Sequence, residues 1–149
     1  PYLSTSEQDG VRTVTVHQDS GARTHQLQAE GLPCTVLSSA RSAFAHPTRL
    51  RLLLLLLAQG ELCVCELTHA IGAAQPNISR HLAQLREAGL VSDRREGLWI
   101  HYRINAEIPR WVTNVLKHTA KGVADSAPFA DDRAALGAMP GRPGASRCA

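Results

Sequence analysis

Residues 65–88 read CELTHAIGAAQPNISRHLAQLREA, and the order of signals along this stretch decides the fold. Leu67, Ala70 and Ile71 recur at helical spacing and Gly72 stops them, which predicts a short helix over 65–71. Ala73, Ala74 and Gln75 leave room for one tight turn. Pro76 suits the first turn of a helix, so a second helix runs from there to about Ala88, before Gly89. Two short helices joined by such a turn make a helix-turn-helix.

The second of these helices resolves into two faces. At about 100° per residue, Ile78, Leu82 and Leu85 lie together and point to a core. The opposite side shows Asn77, Arg80, Ala83, Gln84 and Glu87, with Gln75 at the tip. Arg, Asn and Gln make paired hydrogen bonds to guanine and adenine edges in the major groove, and a small Ala83 lets the backbone approach. Ser79 and His81 flank this face and suit phosphate oxygens. An ordinary solvated helix face has the same composition, so the helix alone does not establish a DNA reader.

The next stretch adds weight. Val91 to Arg95 and Leu98 to Ile104 read as two strands around Glu96-Gly97, with Leu98, Ile100, Tyr102 and Ile104 alternating onto one face. The other face and the turn carry Arg94, Arg95, Trp99, His101 and Arg103. A basic hairpin directly after a helix-turn-helix is placed as a wing over the phosphate backbone or minor groove. Over residues 75–104 five arginines face three carboxylates, a modest basic footprint within a chain of net charge +3.

Upstream, Val36, Leu37, Ala40, Ala43 and Phe44 predict a helix that ends or bends at His46-Pro47. A following helix, Arg49 to Gln59, carries the six leucines 52–57 and stops at Gly60. Six leucines fall far short of the ~20 apolar residues of a membrane span, so this is the central core helix and no membrane is implied. Downstream, Pro109 opens a last helix in which Trp111/Val112, Val115/Leu116, Thr119 and Gly122/Val123 mark one side. A domain of about 90 residues buries too little surface to leave that stripe idle, so it reads as a dimer interface shared with the helix over 36–44, with packing in its own subunit as the alternative.

The expected organisation is therefore a flexible N-terminal extension over 1–33 with at most one weak strand near Val14 and Val16, a winged helix-turn-helix and dimerisation domain over 34–123, and a disordered Pro-, Gly-, Ala- and Asp-containing tail over 124–149. The fold class is mainly α with a small β-hairpin, homodimeric.

The chemistry sits just before the helix-turn-helix, in Glu61-Leu62-Cys63-Val64-Cys65-Glu66-Leu67. Two thiols this close share one soft ion, and a helix N-terminus favours the thiolate that binds it. Cysteine is also a small core hydrophobe, and a lone Cys-X-Cys is often inert. With four cysteines and a polar N-terminus lacking an apolar run, a secreted disulfide framework is not indicated; the expected setting is the reduced cytoplasm. His69, one turn after Cys65, gives Cys63, Cys65 and His69 as an alternative mixed site for zinc, cobalt or cadmium. A thiol-disulfide enzyme is disfavoured, because the spacing is not Cys-X-X-Cys and no βαβ pattern surrounds it.

Four motifs in order, Ala45-His46-Pro47-Thr48-Arg49-Leu50, Glu61 to Leu67, Gln75-Pro76-Asn77-Ile78-Ser79-Arg80-His81-Leu82 and Gly97-Leu98-Trp99-Ile100-His101-Tyr102-Arg103, resemble the ArsR/SmtB family of metal-responsive repressors, and its arsenic-sensing branch most closely. The resemblance spans about residues 36–123. It implies a winged-helix homodimer that binds double-stranded operator DNA at an inverted repeat and is released by As(III) or Sb(III) as inducer ligand. Cys63 and Cys65 match that branch's Cys-Val-Cys ligands. Its third cysteine, three residues on, is Thr68 here. Trivalent arsenic favours three thiolates, which leaves Cys34 as the preferred third ligand, with Cys148, Thr68 or solvent as alternatives. The family's other sensing site, on the last helix, would fall on Ala106, Ile108, Thr119 and Gly122, which lack the needed imidazoles and carboxylates. The DNA-contacting set is Gln75, Asn77, Ser79, Arg80, His81, Gln84, Arg94 and Arg95. A cadmium-, lead- or zinc-responsive repressor, or a thiol-redox-responsive one, is the alternative on the same fold.

Overall fold

The computed structural model describes residues 2–8, 11–18, 21–26 and 34–143, with side chains from residue 37 onward. Two units are present, Pro1–Leu37 and Ser38–Ala149. The first holds an antiparallel meander of β1 (Tyr2–Gln8), β2 (Val11–Gln18) and β3 (Gly21–Gln26). Its register runs Tyr2↔His17 to Gln8↔Val11 and Thr13↔Gln26 to Gln18↔Gly21. The sequence reading gave this stretch at most one strand. Apolar alternation is confined to Val14 and Val16, but Thr and Val suit a pleated sheet, and Asp9-Gly10 is a hairpin dipeptide that periodicity alone passes over.

The second unit is built on α2 (Pro47–Gln59), preceded by α1 (Cys34–Ala45). Leu52, Leu53, Leu55 and Leu56 are all fully buried. Pro47 fits the first turn because its missing N–H has no partner to lose there, and Gly60, at φ +82°, ends the helix with its N–H on Leu56 O at 2.8 Å. Around α2 pack α3 (Val64–Ile71), α4 (Gln75–Glu87) and α5 (Arg110–Gly122). Leu67, Ile78, Leu82, Leu85, Val112 and Leu116 close the core against it. Gly72, at φ +69°, is the left-handed stop of α3.

The sheet of this unit has three strands where a two-stranded hairpin was expected. β5 (Val91–Glu96) and β6 (Trp99–Ile104) form the hairpin, and β4 (Glu61–Cys63) pairs with the other edge of β6, Leu62 opposite Tyr102 and Cys63 opposite His101. A three-residue strand running straight into a helix is too short to show a period of two. Because β4 covers only the inner part of β6, the predicted apolar face divides. Tyr102 is buried, whereas Ile100 is exposed and Leu98, at the turn, is 91% exposed.

The region beyond Ala124, expected to be a disordered tail, contains α6 (Phe129–Gly137). Asp132 and Leu136, one turn apart, are 2% and 1% exposed and seat the helix on α2 and α3. One leucine and one aspartate in an Ala- and Gly-rich stretch do not register as an apolar stripe, yet the aspartate finds the half-buried Arg51.

Candidate metalloid and nucleic-acid sites

Cys63 belongs to two elements at once. It is the last residue of β4 and the N-cap of α3, with extended backbone (φ −80°, ψ 164°), and its side chain is fully buried. Cys65, in the first turn of α3, is half-buried, and the two sulfurs are joined in a disulfide with Cα atoms 5.5 Å apart. Glu66, the third residue of α3, returns its carboxylate to the Cys63 N–H at 2.8 Å, completing a capping box. Arg142 donates its Nε to the other Glu66 oxygen at 2.7 Å and its Nη2 to Gln59 Oε1 at 3.1 Å. Thr68 Oγ1, one turn after Cys65, is buried without a hydrogen-bond partner.

Reduced to thiolates, two adjacent sulfurs at a helix N-terminus fit a soft, thiophilic ion. His69 is exposed, and no three His, Cys, Asp or Glu side chains among the described residues gather to hold a metal, so Cys63, Cys65 and His69 are not brought together as a mixed site. Cys34 is the first residue of α1, but its side chain and all of Cys148 lie outside the described residues.

On α4, Gln75, Asn77, Ser79, Arg80 and Gln84 are exposed along one side while Ile78, Leu82 and Leu85 are buried. Two members of the proposed DNA-contacting set are partly committed inside the fold. Gln84 Oε1 accepts Arg49 Nη1 at 2.7 Å, and Arg49 also reaches Ser42 O at 3.0 Å. The His81 ring turns toward His46, with centroids 4.5 Å apart. Burial, followed by the neighbouring His46, holds the His81 imidazole below its ordinary pKa, so His81 is neutral at pH 7.

The wing arginines differ in the same way. Arg94 makes a two-pronged contact with Glu61 of β4, at 2.9–3.0 Å from its Nε, and reaches Glu96 at 2.7 Å. The guanidinium holds the Glu61 carboxyl below its usual range, with His101 and Arg103 adding to the effect. Arg95 is exposed and, among the described residues, donates to Gly97 O at 3.2 Å. Sequence reasoning missed Arg49, Arg51, Glu66, Asp132 and Arg142. Two signals were present: arginines set into a leucine helix need acceptors, and Cys63-Val64-Cys65-Glu66 has the capping-box spacing.

Comparison with known proteins fits this geometry. Residues 46–93 match the model of the bacterial regulatory protein, arsR family. Over 101 residues the chain is 51% identical to the arsenic resistance transcriptional regulator ArsR2 of Pseudomonas putida, covering 68% of this chain and 86% of that protein. This chain belongs to the ArsR family. ArsR1 of the same organism is 57% identical over 82 residues, which are 55% of the ArsR-family chain and 61% of the relative. The AntR antimony-specific transcriptional repressor has a similar structure, with a TM-score of 0.53 and 29% identity over 66% of this chain and 89% of that one. The ArsR-family chain therefore carries a winged helix-turn-helix, the fold it shares with that repressor. Among the described residues no helix is long and apolar enough to cross a membrane.

Proposed function

We propose that this chain is a metalloid-responsive transcriptional repressor. It binds an inverted-repeat operator as a homodimer, with two α4 helices about one DNA turn, roughly 34 Å, apart, and is released when As(III) or Sb(III) binds Cys63 and Cys65. The relatives named for arsenic resistance and antimony specificity support the choice of inducer. The observation that carries the reading is the double membership of Cys63. Its backbone pairs with the wing strand β6 at His101 and caps α3, which leads through Gly72–Ala74 into α4. Drawing the two sulfurs onto one ion therefore acts on the wing and on the helix-turn-helix together. A small rotation of α3 spoils the spacing of the two half-sites. Couplings of ~1–3 kcal/mol are typical of such switches and give about a 5–150-fold loss of DNA affinity.

The test uses protein reduced with a phosphine, bound to operator and titrated with arsenite and antimonite, beside a Cys63→Ser/Cys65→Ser variant. Release of the native protein alone is the expected result; equal release of the variant overturns the mechanism. Cys34→Ser and Cys148→Ser, made singly, read out which remaining thiol completes the coordination.

The disulfide between Cys63 and Cys65 favours one second reading, a thiol-redox repressor. There hydrogen peroxide takes two electrons and two protons from the thiol pair, forming the disulfide and two waters. Operator release by peroxide, reversed by the phosphine, supports it.

A further inference from the structure

Helix α6 and the residues after it lie outside the stretch matched by the family model, yet they hold the helix that begins with the thiol pair at both of its ends. At the start of α3, Arg142 is bonded to Glu66, a carboxylate only 1% exposed, whose other oxygen accepts the Cys63 N–H. At the end of α3, Arg51 Nη2 donates to Ile71 O at 3.2 Å while its Nε bonds Asp132 of α6 at 2.7 Å. The two contacts are reciprocal. A buried carboxylate of α3 is neutralised from the C-terminal segment, and a buried carboxylate of α6 is neutralised from the core.

We propose that residues 129–143 form a strap that positions the thiol site, with Arg142 acting on Cys63 through Glu66, and that inducer binding and strap docking oppose one another. This rests on the metalloid reading above. Helix α3 has eight residues, too few to persist on its own, so its geometry is set by what holds its ends. Glu66 keeps Arg142 and the Cys63 N–H on one carboxylate only while Cys63 stays in its capping position. Moving Cys63 toward an ion shared with Cys65 pulls the cap apart, and a carboxylate this buried is disfavoured once it loses the Cys63 N–H that satisfied one of its oxygens. Glu66 must then turn out toward water, and Arg142 loses its anchor. By linkage, whatever loosens the strap must ease inducer binding by the same factor.

The experiment follows hydrogen exchange of the full reduced chain on operator DNA, with and without saturating arsenite, and the arsenite dose needed for release in Arg142→Ala and Arg142→Lys. Amides of residues 130–138 should exchange at least ~10-fold faster once arsenite is added, and not in the Cys63→Ser/Cys65→Ser variant. Arg142→Ala should release operator at about 5–10-fold less arsenite, with Arg142→Lys partly restoring the native dose. Release of the native complex with unchanged exchange over the strap overturns the proposal while leaving the metalloid reading intact. Failure of arsenite to release the native complex sinks both. The exchange measurement on the unmodified chain decides the matter even if Arg142→Ala folds poorly.

Discussion

Arg49 Nη1 donates to Gln84 Oε1 at 2.7 Å, and this bond ties the first turn of α2 to the outward side of α4. That bond takes up one of the two lone pairs of the amide oxygen and fixes where the Gln84 side chain lies, so Gln84 is expected to orient the helix more than to read sequence. Gln84→Ala and Arg49→Ala should each weaken operator binding by a similar amount on the native operator and on one altered in a single half-site base pair. Their double variant should fall short of additivity by about 0.5–1 kcal/mol. Asn77→Ala and Arg80→Ala, on exposed side chains, should instead cost ~1–3 kcal/mol on the native operator and flatten the preference at one base pair each. Fluorescence anisotropy on a panel of operators separates the two behaviours.

Arg94 and Arg95 are neighbours in sequence with opposite fates. Arg94 is held by Glu61 and Glu96, joining the wing to the strand that ends in Cys63; Arg95 faces solvent. If Arg95 meets a phosphate, Arg95→Ala lowers the slope of log K against log salt by ~0.9 and leaves the thermal midpoint nearly unchanged. Arg94→Ala should do the reverse, keeping the slope and lowering the midpoint. It should also weaken the arsenite response, because the wing then loses its arginine clamp on β4. A drop in slope for Arg94→Ala equal to that for Arg95→Ala would falsify the division.

Acidification provides a check on the His46–His81 contact. His81 is depressed by burial first and by His46 second, so the folded state favours its neutral form. Its contribution to stability is complete above the ordinary imidazole value of 6.5 and is lost as pH falls through the lower folded value. The urea midpoint should therefore decline between pH 7 and pH 5, a window above the ordinary Glu value of 4.5 from which Glu61 is itself shifted down. His81→Asn should flatten this decline, and His46→Ala should reduce it by removing the second cause. An unchanged slope in both would show that His81 is not what titrates.

These contacts also mark how far the sequence was readable. The helix-turn-helix was legible because Gly72, Pro76 and Gly89 punctuate it and Ile78, Leu82 and Leu85 keep a 3.6 period, signals local to the segment. The positions of Cys63 and Cys65 at the mouth of α3 followed from the same punctuation. What escaped was non-local. Strand β4 exists because β6 offers it an open edge, and α6 because Arg51, 81 residues earlier, meets Asp132. The meander of β1, β2 and β3 escaped for a different reason: apart from Val14 and Val16 its sequence lacks the apolar alternation that marks a half-buried strand.

The apolar stripe on α5 leads to a test of assembly. The structure divides it: Val112 and Leu116 are buried in the same chain, whereas Val115 is 40% exposed. The buried pair belongs to the core of its own chain, and Val115 is the residue a second copy docked on this face would meet. Val112→Ala should cost about 1–3 kcal/mol of unfolding free energy, as expected for removing two buried methyl groups. Val115→Glu should leave the monomer's fold unharmed but place a charge in an apolar interface, shifting the sedimentation coefficient toward the monomer at micromolar concentration. Since two half-sites are read together, operator affinity should fall with it by at least ~10²-fold, toward that of one winged helix on half an operator. If Val115→Glu sediments as the unmodified protein does, the homodimer is built on some other surface and α5 serves its own subunit alone.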